Sequence, residues 1–387
     1  MIKKTVNLLF LYITGSVFLV LYSYTQVDLG LTLTDAGPLQ TIQKYFQYIG
    51  FFQRPLSALF YLVLMTYFFI LYRHSIALAE RNLLPRSDAW TVILGTACSL
   101  VFAYPAFSHD LFNHMFTAKT ILFYKINPYT ATPMEFTSVD PWLGFMHWTH
   151  VVSIYQPLWI AITLIPYLLG FGYFLLTLYN FKLILAVFYL MASYFIEKSL
   201  SVVDKNRTVS GLIIFSLNPL ILVESLVSAH NDIAMIAFIA AAYFCTLQKE
   251  KIISLLMISV SIALKPVSLF WLPLYLFAWK RNLIIYFAIL AVGAIYFFAM
   301  LTGRDLQPWY FMSVILGIAL SPKSVNAITL TVALSLGMLL QYLPFLYTGS
   351  WSQPVPFFKL WVTILPVFFS LLYIASRLLF KKITRMN

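Results

Sequence analysis

Apolar residues fall along this chain in long runs, and polar residues gather in the gaps between them. The clearest runs cover residues 5–24, 55–72, 90–107, 171–196, 209–229, 283–301, 325–347 and 355–379. A helix needs about 20 mostly apolar residues to cross a bilayer, far more than a core strand holds. The pattern therefore predicts an all-α polytopic membrane protein, with residues 1–387 forming a single integral membrane domain. The first run is long and lacks a small-x-small cleavage site, so it reads as a retained span rather than a signal peptide.

Three stretches modify this picture. Residues 251–264 and 308–320 are short for a full crossing. Residues 157–170 are also short, and Gly170 and Gly172 follow them, which suits a re-entrant segment. Two outer loops are long, residues 26–54 and 108–156, and loops of that size in compact membrane proteins are usually functional.

Composition strengthens the reading. The chain is 61% apolar and only 10% charged, too little charge to cover a soluble domain. Its 35 Phe and 25 Tyr suit lipid-facing helices and interfacial belts. Cys98 and Cys245 lie in apolar surroundings and read as small buried residues without redox meaning. The formal charge of +12 would fit a nucleic-acid partner, but its distribution excludes one. Basic residues recur at alternate turns: Lys3 and Lys4, Arg73 to Arg86, Lys198 to Arg207, Lys249 and Lys251, Lys280 and Arg281, Lys323, and Arg377 to Arg385. Placed in the cytoplasm, these turns carry 17 basic and 5 acidic residues, hence the whole net charge. The result is an inner-membrane protein of about twelve spans with both termini cytoplasmic.

Candidate chemistry collects on the outer side. From Asp110 to Ile126, polar positions recur at Asp110, Asn113, Thr117, Thr120 and Tyr124, a helical spacing. Leu111, Phe112, Met115, Phe116 and Phe123 occupy the other face, which predicts an outer interfacial helix with its apolar side in lipid. Asp110 would start that helix, as an N-cap, a catalytic carboxylate or both. His114 follows, then the turn at Asn127-Pro128-Tyr129. Tyr155 and Gln156 stand where the chain returns to the membrane. His147 and His150 are three apart but lack acidic neighbours, so no metal site is expected there.

A second group is Glu224 with His230, Asn231 and Asp232. The last three read either as a polar turn with a helix cap or as a site. Glu224, set among Leu222, Val223, Leu226 and Val227, is harder to explain as a turn, because ionisable groups in apolar spans usually face a cavity or partner. Lys265 and Arg304 are isolated outer cations, able either to snorkel or to hold an anionic phosphate. Lys182, inside a span, has no role in this reading.

The order of these motifs resembles the GT-C membrane glycosyltransferases. Ser108-His109-Asp110 follows an early span, Asn127-Pro128-Tyr129 closes an amphipathic stretch, and Tyr155-Gln156-Pro157-Leu158 re-enters the membrane. Asn218-Pro219-Leu220, His230-Asn231-Asp232 and Lys265-Pro266 complete the series. The likeness is greatest to bacterial polyprenyl-phosphate-mannose-dependent mannosyltransferases and to the GPI mannosyltransferase catalytic subunit. It implies a GT-C-like bundle, a polyprenyl-phosphate sugar donor, inverting transfer of a hexose such as mannose, and a lipid or glycan acceptor. It also implies that the catalytic carboxylate is Asp110. Many relatives carry a second acidic residue just before it, where this chain has Ser108 and His109, so the paired-carboxylate version is absent; no cofactor is expected, and a divalent metal stays open without support from that motif. The rival class is a lipid-linked glycan flippase or transporter, which needs polar sites near the bilayer midplane.

Overall fold

The computed structural model describes residues 2–276, 284–303, 305–322 and 324–383, and every regular element there is helical. The first part of the chain contains α1 (Ile2–Ser23), α2 (Gly37–Phe52), α3 (Arg54–Glu80), α4 (Arg86–Leu100) and α5 (Asp110–Leu122). Next come α6 (Pro157–Leu168), α7 (Phe174–Val203), α8 (Thr208–Ser216), α9 (Pro219–Leu222), α10 (Asp232–Leu247) and α11 (Lys251–Leu264). The last are α12 (Leu272–Leu276), α13 (Ile284–Leu301), α14 (Met312–Leu320), α15 (Val325–Leu340), α16 (Leu343–Thr348) and α17 (Val355–Ile383). Apolar runs become helices because hydrocarbon offers the backbone no hydrogen-bond partner, so each peptide group must pair within its own segment.

Among the described residues, five helices are long and apolar enough to cross a membrane: Val6–Gln26, Arg54–Glu80, Phe174–Val203, Val325–Thr348 and Val355–Phe380. A bent pair, Lys205–Ser216 with Pro219–Val227, makes a sixth candidate and turns by 52°. Other apolar helices, α6, α10 and α11 among them, are shorter. The chain is a multi-pass membrane protein.

One continuous buried cluster runs from Leu8 to Leu346. At its centre residues 210–237 are all buried, enclosed by α3, α7, α14 and α15. Gly211 permits a close approach of two backbones: a Cβ there would fall 2.5 Å from the Ala319 carbonyl oxygen of α14. By contrast α17 leaves Phe357, Trp361, Phe368 and Leu372 exposed, as a lipid-facing helix does. Cys98 is exposed and Cys245 only partly covered, so neither is the buried residue that the sequence suggested.

The helix after Asp110 exists, but its apolar face is not open to lipid. Leu111, Phe112, Met115 and Phe116 are each 2% exposed or less. The loop that follows supplies the cover: Phe136 meets Phe116 at 5.8 Å between ring centres, and Phe145 meets Phe112 at 5.5 Å. Thr117 and Thr120 are buried as well, leaving Phe123, 65% exposed, on the outside. Asp140 pins this loop to α5. It accepts from the Trp142 N–H (2.9 Å) and the Tyr124 hydroxyl (2.9 Å), and pairs with Lys119 (2.7 Å).

Candidate functional site

The site is built on a broken helix. α8 stops at Ser216, and Asn218 caps the start of α9, its side-chain oxygen accepting from the Leu220 N–H at 2.9 Å. Pro219 suits the first helical position, where an N–H would have no partner. The Asn218 amide also donates to the Tyr72 hydroxyl (3.2 Å) and Ser335 Oγ (3.1 Å), locking the break against α3 and α15. Beyond α9, Val223–Val227 widens into a π turn, a local geometry found often at functional sites. Lys182 of α7 donates to the carbonyls of Leu226 and Val227, which the widened turn leaves unpaired within the helix. Ala229 then takes a left-handed backbone, φ 62°, and the His230 N–H donates to the Glu224 carbonyl at 2.8 Å. The chain thus doubles back and sets His230 against Glu224.

His230 lies between two carboxylates. Its Nδ1 is 3.6 Å from Asp110 Oδ2 and its Nε2 is 3.3 Å from Glu224 Oε2. Trp309 stacks on the ring with 3.8 Å between centres. Glu224, fully buried, accepts from the Tyr342 hydroxyl at 3.0 Å. Asp232 opens α10 and pairs with Lys265 at 2.5 Å. Asp110 and Lys265 keep side chains 29% and 26% exposed, whereas those of His230, Glu224 and Asp232 are almost closed. The cluster therefore opens outward through one carboxylate and one ammonium.

Asp110 is the first residue of α5, and His109 holds the cap position without a side-chain capping bond. Capping does not account for this carboxylate. Partial burial pushes its pKa up to about 6; nearby Lys265 opposes the rise and Asp232 adds to it. Such a group is mostly ionised at neutral pH yet basic enough to take a proton. Lys265 supplies a positive point charge at the same opening, suited to an anionic oxygen.

The remaining sequence candidates divide into two groups. His114 lies inside, with Nδ1 accepting from Trp159 Nε1 (3.0 Å) and its ring 4.2 Å from that of Tyr155. Burial drives its pKa down to about 3, so it is neutral and carries its proton on Nε2. Asn113 has a buried side-chain oxygen with no protein partner, and Asn231 is buried at the cap position of α10. Asn127 and Tyr129 stand apart: Asn127 accepts from the Tyr129 N–H (3.0 Å), and the Tyr129 hydroxyl donates to the Tyr155 carbonyl (2.7 Å). They hold the segment carrying Tyr155 rather than meeting Asp110. Gln156 occupies the cap position of α6 without a side-chain capping bond. Arg304 lies outside the described residues, as do Lys280, Arg281 and Lys323 of the charge pattern.

Sequence reasoning missed Trp309, Tyr342 and the role of Lys182. Trp309 follows a proline and Tyr342 sits at the end of an apolar run. Neither position carries a periodic or motif signal, and Tyr342 meets Glu224 across 118 residues of chain.

A family profile described as alpha-(1->6)-mannopyranosyltransferase, N-terminal domain, matches residues 13–281. The chain belongs to this MptA_B family. It is accordingly a glycosyltransferase of the mannosyltransferase kind, in agreement with the resemblance read from its motifs. The match includes Asp110, Glu224, His230, Asp232 and Lys265; Trp309 and Tyr342 of this mannosyltransferase lie beyond it. No curated protein and no solved structure matches the chain.

Proposed function

We propose that this mannosyltransferase moves mannose from a polyprenyl-phosphate donor, with inversion, to a hydroxyl of a lipid or glycan acceptor at the outer face of the inner membrane. The bond from the sugar's C1 to the phosphate oxygen breaks as the acceptor oxygen bonds C1 from the opposite side. The acceptor's proton passes to Asp110. Phosphate leaves as an anion and needs no protonation, so one base and one cation suffice and the step requires no cofactor. Lys265 holds that phosphate, and Asp232 keeps the ammonium in place. The observation carrying this reading is the shared opening of Asp110 and Lys265 above a sealed His230 and Glu224. Asn113, His114 and Tyr155 line the acceptor or sugar side.

In this reading the domain crosses about twelve times, the shorter helices completing the count, so that every basic turn falls in the cytoplasm. The segment Pro157–Leu168 dips in and returns on the outer side, and α5 lies at the outer interface under its own loop. The rival flippase reading needs an open polar path, whereas Glu224 and Lys182 are 0% and 2% exposed.

The test is transfer from labelled polyprenyl-phosphate mannose in membranes containing wild-type or Asp110→Asn protein. Asparagine keeps the shape and removes the base, so transfer should fall by about 10²–10⁴-fold with expression unchanged. Full transfer by well-folded Asp110→Asn ends the assignment and moves the base to Asp232 or Glu224.

A further inference from the structure

Outside the cluster just described, three side chains from separate segments converge beside the start of α5. Asp28 comes from the first outer loop, His109 from the cap of α5 and His147 from the end of the second outer loop. One ligand atom from each lies within 4.8 Å of the other two. Asp28 Oδ2 and His147 Nε2 are 3.7 Å apart, and the two imidazoles stack with 3.6 Å between centres. His109 Nε2 is buried with no hydrogen-bond partner in the protein. A buried ring nitrogen left unsatisfied is costly and calls for an account.

We propose that these residues bind a divalent zinc ion, which staples the two outer loops together next to Asp110. Two imidazoles and one carboxylate are a borderline nitrogen and oxygen set that suits zinc, whose bonds to such ligands are about 2.0–2.2 Å. Tetrahedral ligands at that radius stand about 3.4 Å apart, so each atom has to close by about 1 Å or less. In the proposed site the stacked rings turn about their Cβ–Cγ bonds to aim one nitrogen each at the ion. The backbone is already held at each corner. The buried Gln47 amide of α2 donates to the Asp28 carbonyl (2.8 Å), and the Met146 N–H closes a turn on Leu143 (3.0 Å) just before His147. Gly144 brings the two loops together, since a Cβ there would fall 2.9 Å from Leu31 Cδ2. Asp28 and His147 are 44% and 52% exposed, which leaves a fourth position open to solvent. Among the described residues this is the only such group of three.

The ion has a structural role here and is separate from the transfer step, so its test reads metal and stability rather than activity. The protein is purified in detergent with any affinity tag removed, supplied with zinc chloride, desalted and measured by elemental mass spectrometry. Wild type should hold about one zinc per chain, and His147→Asn or Asp28→Asn should lower its affinity at least about tenfold. Zinc should also raise the thermal midpoint of wild type and leave that of His147→Asn unmoved. Cobalt substitution gives a second readout, because visible d–d bands report an imidazole-bound ion in wild type even if a variant folds poorly. Retention below about 0.1 zinc per chain with no cobalt spectrum overturns the proposal. Equal zinc in wild type and folded variants also overturns it, as an adventitious ion only.

Discussion

Asp110 has two attributes that a base on a membrane surface needs: a partly open side chain and a pKa held near the working pH. Its folded pKa of about 6 stands above the ordinary 3.8, so its ionised form is the disfavoured one in the fold. Two consequences follow from that sign. Transfer should fall as pH drops through about 6, approaching tenfold per unit below it, while Asp110→Asn keeps a flat, low profile. Rates measured from pH 5 to 8 decide this, and an acid limb near 4 excludes Asp110 as the group observed. Ionisation also removes stability as pH rises from 3.8 through the folded value, so Asp110→Asn should be as stable as wild type at pH 7, or more stable by on the order of 1 kcal/mol. Thermal unfolding of the two proteins at pH 7 checks it. No cap is lost, because His109 holds that position.

At the scale of elements, the broken helix and α5 decide the geometry. Asn218→Ala removes one cap and two buried donors at the break. It should destabilise the protein by about 2–3 kcal/mol and lower transfer, because the turn that aims Glu224 and His230 loses its anchor. A detergent-solubilised variant with unchanged melting and rate would refute this link. On α5 the contrast lies between Phe116, 1% exposed, and Phe123, 65% exposed. Phe116→Ala should cost about 3–5 kcal/mol by leaving a cavity under Phe136, and Phe123→Ala should cost far less. Equal losses at the two positions, read from thermal melts, would contradict the packing seen here. The contrast expected from sequence between Phe116 and Thr117 is gone, since Thr117 is buried too.

For the whole molecule, the charge pattern sets a testable topology. Reporter fusions at Met134, in the second outer loop, and at Lys249, between α10 and α11, should report opposite compartments. The same compartment for both refutes the arrangement. The mannosyltransferase architecture then follows from one asymmetry. Residues 210–237 are wholly buried, while α17 presents most of its surface outward. The ionisable groups buried in that stretch, Glu224, His230 and Asp232, find partners in other segments instead of lipid.

The helical class, the multi-pass membrane character and most residues of the candidate cluster were legible in the sequence, because they depend on local properties. Apolar length sets a span, a 3, 4 spacing sets a helix at Asp110, and an isolated Glu224 in an apolar run marks a costly group that needs a reason. Which side of α5 is covered was not legible, because periodicity gives an apolar face without naming what packs on it. The same limit hid Trp309 over His230, Tyr342 beside Glu224 and Lys182 on the π turn, all brought together across large sequence separations. It also hid the convergence of Asp28, His109 and His147, whose segments carry no shared motif. Local pattern determined which residues are expensive to bury; only the tertiary structure decided which partners satisfy them, since those contacts are made by helices far apart in the chain.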